Sequence, residues 1–242
     1  MQTEWAWDNT IRIVFSGTNN LHYNAAVKHS RQGTKRLQGL YAITNEKLMT
    51  PTHFKQSLEQ ALKGGARIIQ YRDKSDDGNK RLQQAKQLKN LCQRYHALCI
   101  INDDIDLCLS VNADGVHLGK EDSNIAQARK RLGDNAIIGA SCYNQLALAQ
   151  QAENEGADYV AFGAIFNSST KPLAKIAGTH ILQQAKSTLT LPICAIGGID
   201  TSNAQQTVEA GADMIAVINS LFAQKDIFDT ARRLNLAIKA SD

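Results

Sequence analysis

The sequence predicts a (β/α)8 barrel of the TIM type, in the α/β class, with a short N-terminal extension outside the barrel. Three observations predict it. From Gly39 onward, eight short runs rich in apolar and β-branched residues alternate with helical stretches, as parallel strands with crossover helices require. One phrase recurs four times: Gly65-Ala66-Arg67-Ile68-Ile69, Asn112-Ala113-Asp114-Gly115-Val116, Gly156-Ala157-Asp158-Tyr159-Val160 and Gly211-Ala212-Asp213-Met214-Ile215. The copies lie roughly 50 residues apart, about two βα units, and eight such units in roughly 200 residues close a barrel. An open doubly wound sheet is the runner-up. It often carries G-x-G-x-x-G after its first strand, where this chain has Thr44-Asn45-Glu46-Lys47.

The strands are expected at Gly39–Thr44, Ala66–Arg72, Leu98–Asn102, Asp114–Leu118, Ile137–Ser141, Asp158–Phe162, Ile193–Ile196 and Met214–Ile218. The repeated phrase precedes the second, fourth, sixth and eighth. Its Gly or Asn suits the left-handed position that closes a helix. Between the second and third strands, Leu82, Ala85, Leu88, Leu91, Cys92 and Tyr95 share one helical face, with Lys80, Gln84 and Lys89 off it.

Residues 37–242 form the barrel in this reading. Residues 1–36 differ: they hold Trp5 and Trp7, a β-like run from Ile11 to Phe15, and a polar, basic stretch. They read as a poorly ordered extension, or as sequence ahead of the natural start. A docking arm placed by the tryptophans is the alternative. The net charge of +4 is too weak to argue for nucleic acid but suits a phosphorylated substrate. No apolar run reaches the length of a membrane span, and the start lacks the apolar core of a signal peptide. Five scattered cysteines without a C-x-x-C pair read as reduced core thiols. A cytoplasmic protein is expected, and a homo-oligomer is compatible with it.

In a parallel barrel the site lies where the strands end. After the second strand, alternation puts Gln70, Arg72 and Lys74 on one side, and an Arg with a Lys there suits a diphosphate. Asn102-Asp103-Asp104 follows the third strand and His117-Leu118-Gly119-Lys120-Glu121-Asp122 the fourth. Asp103 and Asp122 at neighbouring strand ends offer the hard oxygens that Mg²⁺ needs beside a diphosphate. Taken singly, each could instead cap the helix that follows. His117 reads as structural rather than a ligand, Ser141 as a hydrogen-bond donor rather than a nucleophile, and Cys142 as inert. Ser168, Ser169, Thr170 and Lys171 make an anion cradle after the sixth strand. Gly197-Gly198 lets backbone amides approach a phosphate, and Ile218-Asn219-Ser220 opens another helix N-terminus.

These residues resemble the thiamine phosphate synthase (thiamine-phosphate diphosphorylase) family. The matching phrases are Leu40-Tyr41-Ala42-Ile43-Thr44, Gln70-Tyr71-Arg72-Asp73-Lys74, Asn102-Asp103, Ala113-Asp114-Gly115-Val116-His117-Leu118-Gly119, Glu121-Asp122, Ile138-Gly139-Ala140-Ser141, Gly156-Ala157-Asp158-Tyr159, Ser168-Ser169-Thr170-Lys171 and Ala195-Ile196-Gly197-Gly198-Ile199. The resemblance implies a Mg²⁺-dependent transferase that joins an aminopyrimidine methyl diphosphate to a thiazole phosphate, giving thiamine phosphate and diphosphate. It implies that Gln70, Tyr71, Arg72, Asp73, Lys74, Asn102, Ser141 and Lys171 hold the pyrimidine diphosphate, with Arg72, Lys74, Ser141 and Lys171 as the catalytic set. By the same resemblance Asp103 and Asp122 bind Mg²⁺, while Ser168, Ser169, Thr170, Gly198, Ile218 and Asn219 hold the thiazole phosphate. It also implies that the diphosphate leaves first, so no side-chain nucleophile is needed. Two positions depart from the pattern: Asn219 stands where a Ser is expected, and Cys142-Tyr143 where a small residue and often a His are expected. The rival functions are a thiazole tautomerase on the same barrel and a non-catalytic protein that binds thiamine precursors. The tautomerase would not need Arg72, Lys74, Asp103, Asp122 and Lys171 together.

Overall fold

The computed structural model describes residues 36–119, 124–167 and 176–240. The rest of the expected extension, residues 1–35, lies outside them. Eight parallel strands close into a barrel in sequence order: β1 (Gly39–Ile43), β2 (Ile68–Tyr71), β3 (Leu98–Asn102), β4 (Gly115–Leu118), β5 (Ile137–Tyr143), β6 (Tyr159–Phe162), β7 (Ile193–Ile196) and β8 (Met214–Val217). The seam is closed by β1 on β8, with Leu40 opposite Ile215. Outside run α1 (Phe54–Lys63), α2 (Gly78–Arg94), α3 (Ile105–Val111), α4 (Ile125–Leu132), α5 (Leu146–Glu155), α6 (His180–Thr188), α7 (Ala204–Glu209), the single turn α8 (Asn219–Phe222) and α9 (Ile227–Lys239). The predicted barrel is therefore present, with β1, β4, β6 and β8 one residue shorter than expected, β2 three shorter and β5 two longer.

The period of two within each strand divides the core into two layers. Tyr41, Ile68, Ile100, Tyr159 and Met214 face the barrel axis. Leu40, Ile69, Ile101, Val160 and Ile215 face outward against the helices. This alternation decides which polar residues reach the mouth. Gln70 lies two residues beyond Ile68, and Asn102 two beyond Ile100. Tyr71 takes the other side: it packs edge-on against Phe54, and its hydroxyl donates to Gln84 on α2 at 3.0 Å. That contact corrects the helical-face reading, because Gln84 is buried rather than turned to solvent.

The repeated phrase acts at the opposite end of the barrel from the site. Its Gly or Asn has positive φ in all four copies. In three copies the Asp carboxylate accepts the amide N–H of the neighbouring strand: Asp114 from Cys99, Asp158 from Ile138 and Asp213 from Ile193, each at 2.8 Å. The same carboxylates pair with Lys89 on α2, Arg129 on α4 and Lys186 on α6. Each Asp thus ties two strands to one helix. In the first copy Arg67 takes this position and bonds across through its backbone: its N–H donates to the Leu40 carbonyl, and its own carbonyl accepts the Leu98 N–H.

Candidate active site

The segments leaving β2 and β3, with Arg81 of α2, surround a cleft of about 290 Å³. The chain leaving β2 is pinned to β1: the Thr44 hydroxyl donates to the Arg72 carbonyl at 3.0 Å, and its oxygen accepts the Arg72 N–H at 2.8 Å. Among the described residues the Arg72 guanidinium has no carboxylate partner. Lys74 donates to Asp103 Oδ2 at 2.8 Å. Asn102 Nδ2 donates to the same oxygen, and the Gly119 N–H to Asp103 Oδ1 at 3.1 Å. Three strand ends therefore converge on one carboxylate.

Asp103 does not cap α3. That task falls to Asp104, whose carboxylate accepts the Leu107 N–H at 2.8 Å and pairs with Arg81 at 2.6 Å. Likewise α4 is capped by Asn124, which accepts from Ala126 and Gln127. Asp122 itself lies outside the described residues. Asp73 is buried and paired with Lys80 at 2.6 Å. Burial favours its neutral form, but Lys80 and Ser75 outweigh that and hold the carboxyl below its ordinary range. Tyr71 is thus engaged in packing the β2 end, while Asp73, Lys74, Asn102 and Asp103 line the cleft and Gln70 turns toward Tyr41 in the barrel interior.

A second group lies between β6 and β8. The segment after β6 runs along the β7 glycines: Ile165 N–H donates to the Ile196 carbonyl and Phe166 N–H to that of Gly197. Gly198 has φ +69°, and a Cβ there would stand 2.3 Å from the Asn167 carbonyl oxygen, so only glycine fits. Ser168, Ser169, Thr170 and Lys171, which follow Asn167, lie outside the described residues. Ile218 packs against the inner layer, and Asn219 opens α8.

Between the two groups a chain of polar side chains crosses the barrel interior. Gln70 Nε2 donates to Tyr41 Oη at 2.8 Å, and Tyr41 and Tyr159 share a hydrogen bond of 2.8 Å. His117 places Nδ1 2.9 Å from Tyr159 Oη and Nε2 2.9 Å from Ser141 Oγ. Burial pushes the His117 imidazole down to about 4, with Asp103 pulling the other way, so it is neutral at pH 7. The structural role expected of His117 is thereby given its partners. Cys142 is buried and its thiol is pushed up to about 12 by that burial, which leaves it inert. Tyr41 and Tyr159 were not singled out in the sequence, although both occupy inward positions in their strands.

Residues 40–221 match the family described as thiamine monophosphate synthase. The chain belongs to that family. Thiamine-phosphate synthase of Thioalkalivibrio sulfidiphilus is 49% identical over 200 residues, covering 83% of this chain and 95% of the relative. That of Alcanivorax borkumensis is 46% identical over 209 residues, covering 85% and 96%. The solved structure of thiamine phosphate pyrophosphorylase from Pyrococcus furiosus superposes with a TM-score of 0.78 at 34% identity, covering 86% of this chain and 98% of that one. A (S)-3-O-geranylgeranylglyceryl phosphate synthase from Thermoplasma acidophilum shares the fold at 16% identity with a TM-score of 0.67. For this thiamine monophosphate synthase family member, the matched span runs from β1 into α8 and takes in both groups at the mouth.

Proposed function

We propose that the chain condenses 4-amino-2-methyl-5-(diphosphooxymethyl)pyrimidine with 4-methyl-5-(2-phosphooxyethyl)thiazole, forming thiamine phosphate and releasing diphosphate. The observation that carries this reading is the convergence of Lys74, Asn102 and Gly119 on Asp103, beside an Arg72 that has no carboxylate partner among the described residues. A tautomerase acting on a thiazole phosphate alone has no use for that cluster.

Arg72 and Lys74 bind the diphosphate, and with Lys171 they balance the charge that grows on it as its bond to the pyrimidine methylene breaks. Such stabilisation by fixed charges is electrostatic, and no covalent enzyme intermediate is needed. Gln70, Asn102 and Ser141 orient the pyrimidine. Ser168, Ser169, Thr170, Gly198, Ile218 and Asn219 hold the thiazole phosphate, so the ring nitrogen is presented to the methylene carbon. An Asn219 side-chain amide can donate to phosphate as a Ser hydroxyl would.

The donor set fits Mg²⁺. Mg²⁺ beside a diphosphate takes one or two protein carboxylates and completes its shell with phosphate and water. Asp103 offers hard oxygens at the cleft, and no group of three or more acidic, His or Cys ligands exists among the described residues. Asp103 and Asp122 would hold the ion, which when bound supplies positive charge against the departing diphosphate. Among the described residues no helix is long and apolar enough to cross a membrane. All five cysteines are buried free thiols, which suits a reducing, cytoplasmic setting.

The test is one assay of the purified chain with both substrates and Mg²⁺, following thiamine phosphate and diphosphate, with EDTA as control. Metal-dependent formation of both products is expected. A folded chain that binds the thiazole phosphate but forms neither product would overturn the reading.

A further inference from the structure

We propose that Tyr41, Tyr159 and His117 form a one-way hydrogen-bond chain through the barrel that compels Ser141 to donate its hydrogen toward the substrate. This rests on the condensation reading above, and it makes the three residues positioning residues for that reaction.

The direction of the chain follows from counting hydrogens. The five side chains come from β2, β1, β6, β4 and β5, and successive polar atoms are 2.8 to 2.9 Å apart. An amide nitrogen only donates, so the Tyr41 oxygen receives from Gln70. Each phenol owns a single hydrogen. Tyr41 passes its hydrogen to Tyr159, and Tyr159 passes its own to His117 Nδ1. An imidazole that accepts at Nδ1 carries its hydrogen on Nε2, and that nitrogen faces Ser141 Oγ. Ser141 is half-buried at the end of β5. With its oxygen receiving from His117, its own hydrogen is left for an acceptor at the mouth. In a dry interior each bond polarises the next, so the donor is strengthened as well as directed.

The packing holds the chain still. Tyr159 stacks on His117 with centroids 5.5 Å apart and meets Tyr41 edge-on at 6.1 Å. A Cβ at position 139 would stand 2.0 Å from Tyr159 Cζ, so the ring occupies space that only Gly139 leaves. Reversing the chain requires the Gln70 amide to present its carbonyl to Tyr41. His117 would then carry its hydrogen on Nδ1, and Ser141 would spend its own on Nε2. The two directions therefore differ in the tautomer of one histidine.

That tautomer is measurable by ¹⁵N-histidine NMR on the full chain, with His117 assigned by the signals lost in His117→Gln. The Nε2–H tautomer is expected, and Tyr159→Phe, which removes the donor to Nδ1, is expected to mix the tautomers. Turnover gives the second readout. Tyr159→Phe is expected to lower kcat on the order of tenfold, but to have no further effect in a Ser141→Ala background. If Tyr159→Phe fails to fold, Tyr41→Phe carries the same two measurements. An Nδ1–H tautomer in the native chain overturns the proposal even with full condensation activity. So do losses that multiply in the double variant. A native chain with the Nε2–H tautomer and no condensation overturns the function reading, and the positioning role with it.

Discussion

Asp103 sits at φ +62°, a conformation most side chains avoid and Asp tolerates. Neither capping nor burial accounts for it there, since Asp104 caps the helix and Asp103 opens onto the cleft. Asp103→Asn keeps the backbone tolerance and removes the charge. We expect turnover to fall about 100-fold while the Tm stays close to that of the native chain; a collapsed Tm with full turnover would make the residue structural. His117 makes a prediction in pH. Its folded pKa is lowered from 6.5 to about 4 by burial, so the unfolded chain takes up a proton first on acidification. Stability should fall as the pH drops from 6.5 to 4, and His117→Gln should flatten that part of a Tm-against-pH curve. Lys74 and Asp103 were legible because they follow strands directly. Tyr41 and Tyr159 were not, because alternation says that they face inward but not which inward residues meet across the axis.

Between elements, the join of β2 and α2 sets packing contacts directly beside the cleft. Tyr71 and Asp73 belong to the phrase that marks the family resemblance, yet Tyr71 bonds to Gln84 and Asp73 to Lys80. Tyr71→Phe should cost about 1 kcal/mol, the net worth of one buried hydrogen bond, read from a shifted urea midpoint. The KM for the pyrimidine diphosphate should not change; a raised KM would return Tyr71 to the substrate. Strand order and helical faces were readable from periods of two and 3.6. Gln84 was misplaced because its burial depends on a hydroxyl from another element, which no period reports.

At the scale of the molecule, the recurring Asp turns a sequence repeat into a mechanical one. The Arg129–Asp158 pair is the most buried of the three, and Asp158 also accepts the Ile138 N–H. Asp158→Ala leaves a buried guanidinium and an amide without that acceptor, so a loss of about 3 kcal/mol is expected, seen as a lowered Tm with turnover per folded molecule unchanged. The repeat was legible as punctuation, a Gly or Asn ending a helix. Its second use, fastening each odd strand after the first to the even strand that follows it, was not, since it needs the strands already side by side.

The inner layer also closes the floor of the barrel. Tyr41, Tyr159, Ile68, Leu98 and Met214 fill the barrel axis, so the described residues leave no back door. Everything that arrives must depart by the opening it entered. Whichever reactant lodges deeper has to be seated first, and its remnant is the last to go. The order of addition and release is then a depth gauge: product-inhibition patterns would report which partner lies nearer the floor.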